Sequence, residues 1–221
     1  MPLPHDPAVR ARRAGLSLVM ALALTLTGCG VWPTHAGTTT PRFPGASFPP
    51  GVPTDATTGT AAHIVPFPAV DPTGLDASHQ ALLTVLQQEY WAQPRGTKYS
   101  GGIDEPWCAD FVSWVLHEAG FVLRNPNSGS WRIPGIFTLQ EYFASVDAWH
   151  APDGHVPVFG DVVIYGDAST IWGEHTQIVL SADGGDLVTL GGNQPGGITV
   201  TSYPLDTPGL GLLGFGVPHP A

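Results

Sequence analysis

Two cysteines are the first candidates for chemistry in this chain of 221 residues, Cys29 and Cys108. Cys29 follows a segment with the layout of a secretory signal, in which arginines precede an apolar run over residues 16–27. This run is shorter than the roughly 20 residues that a membrane-spanning helix needs. If Cys29 has its own role in export, Cys108 remains as a single thiol. An unpaired thiol in an exported protein is a candidate nucleophile.

Cys108 lies where the sequence predicts the start of a helix. The segment over residues 104–114 opens with an acid and with Pro106, a residue suited to the first helical position. Cys108 then falls in the first turn, where free amide groups and the helix dipole favour a thiolate and lower the thiol pKa. Only the thiolate attacks an amide carbon efficiently. The segment predicts a cysteine nucleophile, and a small buried apolar cysteine is the alternative.

The base is sought among nine histidines. His117 follows Cys108 by nine positions, which places it on the opposite face of the helix. Seven others lie in the signal, in the proline-rich segments, on the first predicted helix or around a loop: His5, His35, His63, His79, His150, His155 and His219. His175 remains, at the start of a predicted strand and beside a loop that contains glycine. It is the predicted base, and an ordinary solvated histidine is the alternative.

A third group must orient the imidazole, and Asn, Asp or Glu can do this. Asn193 ends the next predicted strand beyond the Gly184–Gly185 turn, so it comes back beside His175 if the two strands pair. Its glycine neighbours also fit a turn residue, and both interpretations stay open. Trp107 and Trp172 are nearest to the proposed catalytic residues and are predicted to contact substrate.

The secondary structure that must position these residues is predicted to change from helices to strands along the chain. The first half has helical periodicity over residues 76–91, from near Pro106 to Gly120, and over residues 138–147. The second half has short apolar runs that glycine and proline interrupt, at residues 161–165, 176–180, 187–190, 198–203 and 212–217. Helices followed by a series of antiparallel strands predict an α+β domain.

The chain divides into three predicted parts. Residues 1–28 are a signal peptide, and residues 29–72 are a tether rich in Pro, Gly and Thr. Residues 30–72 contain nine prolines and almost no apolar periodicity, so they cannot bury enough surface to offset the entropy of ordering. Residues 73–221 have the length of one ordinary domain.

Charge and motifs exclude several classes of protein. Without residues 1–28 the chain keeps five basic and seventeen acidic residues, and nucleic acid is therefore not an expected partner. No two histidines have the spacing of helical zinc ligands, and no Cys-x-x-Cys occurs. No Gly-x-Ser-x-Gly is present either. We predict a hydrolase without metal or other cofactor.

The site residues together resemble the cysteine, histidine-dependent amidohydrolases/peptidases, or CHAP domains. The matching pieces occur in the order of the family: residues 106–109 with Phe111, Val112 and Trp114, then residues 159–163, then His175 with Ile178 and Val179, then Gly192 and Asn193. The chain departs from the family at Gly191, where many members have an acidic residue. Residues 99–105 do not match the calcium loop of some phage members.

The resemblance implies a papain-like α+β fold in which N-terminal helices pack on a small antiparallel sheet. It implies hydrolysis of amide bonds in peptidoglycan, either between muramic acid and L-Ala or within the stem peptide or its cross-bridge. It further implies that Cys108 forms the thioester, that His175 transfers the proton and that Asn193 holds His175. The alternatives are an NlpC-type γ-glutamyl peptidase and a non-catalytic wall-binding lipoprotein.

The residues before Cys29 carry a second resemblance. Leu26-Thr27-Gly28-Cys29 is similar to the lipobox at which bacterial lipoproteins are lipidated on cysteine and cut. It implies that the membrane is a partner through lipid on Cys29 and that the protein is anchored on the extracytoplasmic face of the cell membrane. The alternative is an ordinary signal peptide with an incidental cysteine.

Overall fold

A computed structural model of the chain describes residues 47–52, 57–58 and 62–221. All of these residues belong to one compact unit. The predicted signal peptide, Cys29 and the first part of the predicted tether lie outside the described residues. Within the described part of the chain, no helix is long and apolar enough to cross a membrane.

Three α-helices occur in the described residues, close to the three that the sequence predicts. They are α1 (Ala77–Ala92), α2 (Cys108–Glu118) and α3 (Ile136–Ser145). The carboxylate of Asp76 caps α1 by accepting a hydrogen bond from the amide of His79 at 2.9 Å. Cys108 is the first residue of α2, so the prediction that it lies in the first helical turn is confirmed.

The strands of the described residues form one antiparallel sheet. They are β1 (Thr57–Thr58), β2 (Ala62–Val65), β3 (Trp149–His150), β4 (Val162–Tyr165), β5 (His175–Ser181), β6 (Asp186–Gln194), β7 (Gly197–Pro204) and β8 (Leu212–Gly216). Their order across the sheet is β1-β2-β7-β6-β5-β4-β8-β3. Each of the five predicted strands is found, and the α+β class is confirmed.

Successive side chains of each strand point to opposite faces of the sheet, and both faces are buried under core clusters. On one face, Ile164 and Ile178 pack with Phe111 and Val112 of α2 in the larger core cluster. On the other face, Tyr165 and Val179 belong to a smaller cluster. Helix α2 packs against β5 and β6 and so brings its first turn to the start of β5.

The predicted tether extends too far into the chain. Residues 62–65 form β2, which pairs with β7, and Ala62 and Ile64 are buried. A four-residue strand is too short to produce a clear periodicity, and β2 depends on a partner that lies far along the sequence. Residues from Ala62 onward therefore belong to the folded domain rather than to a tether that ends at residue 72.

Candidate active site

The thiol of Cys108 is buried at the start of α2, under the first residues of β5. Burial raises the pKa of this thiol, and the amides of Ala109 and Thr176 act against that rise by facing the sulfur. The sequence led us to expect a lowered pKa from the helix terminus. Burial outweighs the amide groups because β5 covers this end of the helix, so the resting cysteine is a thiol at neutral pH.

His175 is the first residue of β5 and is 5% exposed. Burial lowers the pKa of its imidazole to about 4, so the ring is neutral at neutral pH. The ring stacks on Trp172 with centroids 5.5 Å apart and an angle of 21° between the planes. The amide that faces the Cys108 sulfur belongs to Thr176, the next residue in the chain. Cys108 and the strand that begins at His175 therefore lie next to each other at one end of the sheet.

The thiol and the imidazole are not hydrogen bonded to each other in the described structure. The imidazole instead contacts Gln194, whose Nε2 lies 3.2 Å from Nε2 of His175. The other end of the same amide, Oε1, accepts a hydrogen bond from the hydroxyl of Thr199. Gln194 is thus the side chain that joins His175 to β7.

Asn193, which the sequence places as the partner of His175, is exposed and has a φ of 59°, in the left-handed region. The pairing of β6 with β7 is irregular between Gly191 and Gln194. Such an irregularity changes which side chain points to a given face of the sheet. The irregular pairing directs Gln194, instead of Asn193, toward His175. The alternation of side chains along a regular strand did not predict this replacement.

A pocket of about 240 Å³ opens beside the imidazole. Its walls bring together three residues that the sequence singled out, Trp172, His175 and Asn193. The remaining walls are Ile171, Gln194 and Pro195. The pocket combines apolar walls with a few polar groups, a composition typical of ligand sites.

Trp107, which directly precedes Cys108 in the sequence, lies outside the pocket next to His175. Its ring stacks on Tyr99 with centroids 5.4 Å apart and an angle of 15° between the planes. The Tyr99 hydroxyl donates a hydrogen bond to the buried Glu89 carboxylate at 2.7 Å. The Trp107 ring also lies directly against the backbone of Gly192. A Cβ atom added to Gly192 would be only 2.3 Å from Cζ3 of Trp107. Trp107 is thus held from several sides while part of its surface stays accessible.

A buried ion pair supports the first turn of α2. Asp110 has no exposed surface, and its Oδ1 lies 2.7 Å from Nε of Arg132. Arg132 also pairs with Glu105, which precedes the helix. Burial raises the pKa of Asp110, and Arg132 acts to lower it. The negative charge of Asp110 in turn helps to raise the pKa of Cys108. This cluster was not predicted, since Arg132 lies on a loop beyond the helix.

Comparison with known proteins identifies the class of this domain. Residues 98–193 match the family model described as CHAP domain. Comparisons with curated proteins and with solved structures found no match. The chain therefore contains a CHAP domain over residues 98–193, with the papain-like architecture of that family. The match over these residues indicates a hydrolase of cell-wall amide bonds, with peptidoglycan as the implied substrate.

Proposed function

We propose that the protein hydrolyses an amide bond of peptidoglycan with Cys108 as nucleophile and His175 as base. The observation that carries this proposal is the position of the Cys108 thiol at the start of α2, against the amide of the residue that follows His175. A cysteine at a helix terminus beside a histidine is the arrangement that covalent amide hydrolysis requires.

The reaction starts from a neutral pair, because burial raises the pKa of the thiol and lowers that of the imidazole. His175 takes the proton from the thiol as the sulfur attacks the amide carbon. The resulting oxyanion is stabilised by backbone amides at the start of α2. The imidazolium then gives its proton to the leaving amine, and a thioester remains. Water hydrolyses the thioester and returns the free thiol, with His175 again acting as base.

In this mechanism a hydrogen bond between Cys108 and His175 forms when substrate binds. Catalytic hydrogen bonds are often long or absent in a free enzyme and form in the complex. Substrate that enters between Trp107 and the pocket beside Trp172 excludes water from both groups. Exclusion of water strengthens the interaction between the charges that develop during proton transfer. In this proposal Trp107, Trp172 and Asn193 contact the stem peptide rather than the transferred proton.

The test is the digestion of purified peptidoglycan, followed by mass spectrometry of the products. We expect the protein to release fragments and Cys108→Ala and His175→Ala each to lose this activity while they stay folded. His117→Ala is the matched control, because His117 is exposed and packs against Trp131 away from the site. Activity of Cys108→Ala equal to that of the parent would contradict the mechanism.

The products also identify the bond that is cut. A new N-terminal L-Ala indicates an amidase, and a cut within the stem peptide or cross-bridge indicates an endopeptidase. Cleavage at the γ-glutamyl bond indicates the NlpC-type specificity. Binding of peptidoglycan without turnover by the parent protein would indicate a non-catalytic wall-binding role and contradict the proposal.

We further propose that the enzyme is held on the extracytoplasmic face of the membrane by lipid on Cys29. The support is the sequence Leu26-Thr27-Gly28-Cys29 behind an apolar signal core. Cys29→Ser should move the protein from the membrane fraction to the medium and abolish its labelling by a radioactive fatty acid. Retention of the variant at the membrane would contradict the lipid anchor.

A further inference from the structure

We propose that Gln194, held by Thr199, is the positioning residue for the imidazole of His175. This inference rests on the proposed role of His175 as base. It assigns the orienting role to the side chain that contacts the ring, instead of to Asn193. Three buried side chains carry it, on the neighbouring strands β5, β6 and β7: His175, Gln194 and Thr199.

The hydrogen bonds that join His175, Gln194 and Thr199 lie in the interior, where losing one is costly. Gln194 is 8% exposed and Thr199 has no exposed surface. Water therefore cannot easily replace a lost partner, and a buried polar group without a partner is costly. The amide of Gln194 has one end on the imidazole and the other on the hydroxyl, so both ends of the amide are fixed. A ring fixed in this way keeps the orientation that a base needs.

The Thr199 hydroxyl allows the tautomer of His175 that a base needs. In the structure the hydroxyl donates to Oε1 of Gln194, and Nε2 of Gln194 contacts Nε2 of His175. A hydroxyl can also accept a hydrogen bond. If the amide turns by 180°, Thr199 accepts from the amide nitrogen and Oε1 accepts from Nε2–H of His175. In this second arrangement Nε2 of the neutral imidazole carries the proton, so Nδ1 is free to take the proton of the thiol, and the hydrogen bond from Nε2–H to Oε1 remains when the imidazolium forms.

Gly191 provides the space that Gln194 occupies. A Cβ atom at position 191 would lie 2.8 Å from Cγ of Gln177 and 3.0 Å from Nε2 of Gln194. Such contacts would displace the Gln194 amide. The bare backbone at Gly191 and the irregular pairing that follows it therefore allow a side chain three residues later to reach the imidazole.

The first experiment measures the pKa of His175 by NMR in protein labelled with ¹⁵N in its imidazoles. Gln194→Glu places a carboxylate beside the ring, which favours the imidazolium, and we expect the pKa to rise by about one unit or more. Asn193→Asp adds the same charge one residue away on an exposed side chain. Water screens it, and we expect less than about half of that rise. Equal shifts in the two variants, or no shift in Gln194→Glu, would overturn the proposal.

The second experiment compares two threonines of β7 in the peptidoglycan assay. Thr199→Val removes the hydroxyl that holds Gln194, and we expect kcat to fall about tenfold with little change in KM. Thr201→Val is the matched control, because Thr201 is equally buried and its hydroxyl contacts Thr189 instead. We expect less than about a twofold change there. Similar losses in both variants would show that Thr199 acts only through the stability of the strand.

Gln194→Glu also gives a positive result that a purely structural role would not. It should keep activity, because a carboxylate can accept Nε2–H, and the acidic limb of its pH profile should move to higher pH with the pKa of His175. Loss of activity at every pH would contradict this. If the parent protein shows no hydrolysis, the proposed function fails, and the NMR titration still decides whether Gln194 positions the ring.

Discussion

Arg132 faces the buried carboxylate of Asp110, two residues after Cys108. The carboxylate lies in the same helical turn as the thiol, where its charge opposes formation of a thiolate. Arg132 offsets that charge and links the turn to Glu105 in front of the helix. The cation therefore affects both the stability of the helix start and the electrostatics around the nucleophile.

Removal of this cation is expected to have both effects. Arg132→Met leaves Asp110 buried without its partner, and we expect the free energy of unfolding to fall by about 3–5 kcal/mol. The pKa of Cys108 should rise, which the pH dependence of its reaction with iodoacetamide will measure. Arg124→Met is the control, because Arg124 is exposed. Adding Asp110→Asn should recover part of the lost stability, and no recovery would show that the uncompensated charge is not the cause.

Stability is expected to depend on pH through His175. Its pKa is about 4 in the folded protein, against an ordinary value near 6.5 in an unfolded chain. Between these two values the unfolded state binds the proton more strongly. The free energy of unfolding should therefore decrease as the pH is lowered from about 6.5 to about 4, by up to about 3 kcal/mol. Below that window this histidine contributes no further decrease.

Urea unfolding at pH 7.5 and at pH 4.5 will measure this dependence. The parent protein and His175→Gln are compared, so that the titration of other groups cancels between them. We expect the variant to lose less stability on acidification than the parent. The exposed His117→Gln serves as control and should behave as the parent does. Equal losses in His175→Gln and the parent would show that the histidine is not buried in its neutral form.

The contact between Trp107 and Gly192 gives a steric prediction. The new methyl group of Gly192→Ala would lie 2.3 Å from the indole ring, so the ring or the β6 backbone must move. Because Trp107 directly precedes Cys108, we expect about a tenfold or greater loss in kcat/KM. Gly154→Ala is the control, since a methyl group there meets no atom within 4 Å. Full activity of Gly192→Ala would show that the position of Trp107 does not matter for the reaction.

Local signals in the sequence predicted most of the fold. Helical periodicity indicated α1, and glycine and proline separate the strands from β4 to β8. These features depend on residues close together in the chain, which is why a single sequence reveals them. The strand β2 was missed, because its stability comes from pairing with a strand more than a hundred residues away.

The sequence predicted the candidate site less completely than it predicted the fold. The structure brings Trp172, His175 and Asn193 to one pocket and Cys108 to the amide of Thr176, and the roles of these four residues stay predictions. The contact of Gln194 with His175 depends on an irregularity in strand pairing, which no local pattern announces. The raised pKa of the thiol depends on the burial of the helix start by β5. Both are consequences of tertiary packing.

The pairing of β2 with β7 has a mechanical consequence. Tension on the chain ahead of Ala62 acts on β2, which is hydrogen bonded to β1 on one side and to β7 on the other, where Val65 lies opposite Val200. Val200 is the neighbour of Thr199, whose hydroxyl holds Gln194. β7 is therefore both a neighbour of the loaded strand and the strand that anchors the partner of His175. The N-terminal edge of the sheet and the support of the imidazole thus share one strand, β7.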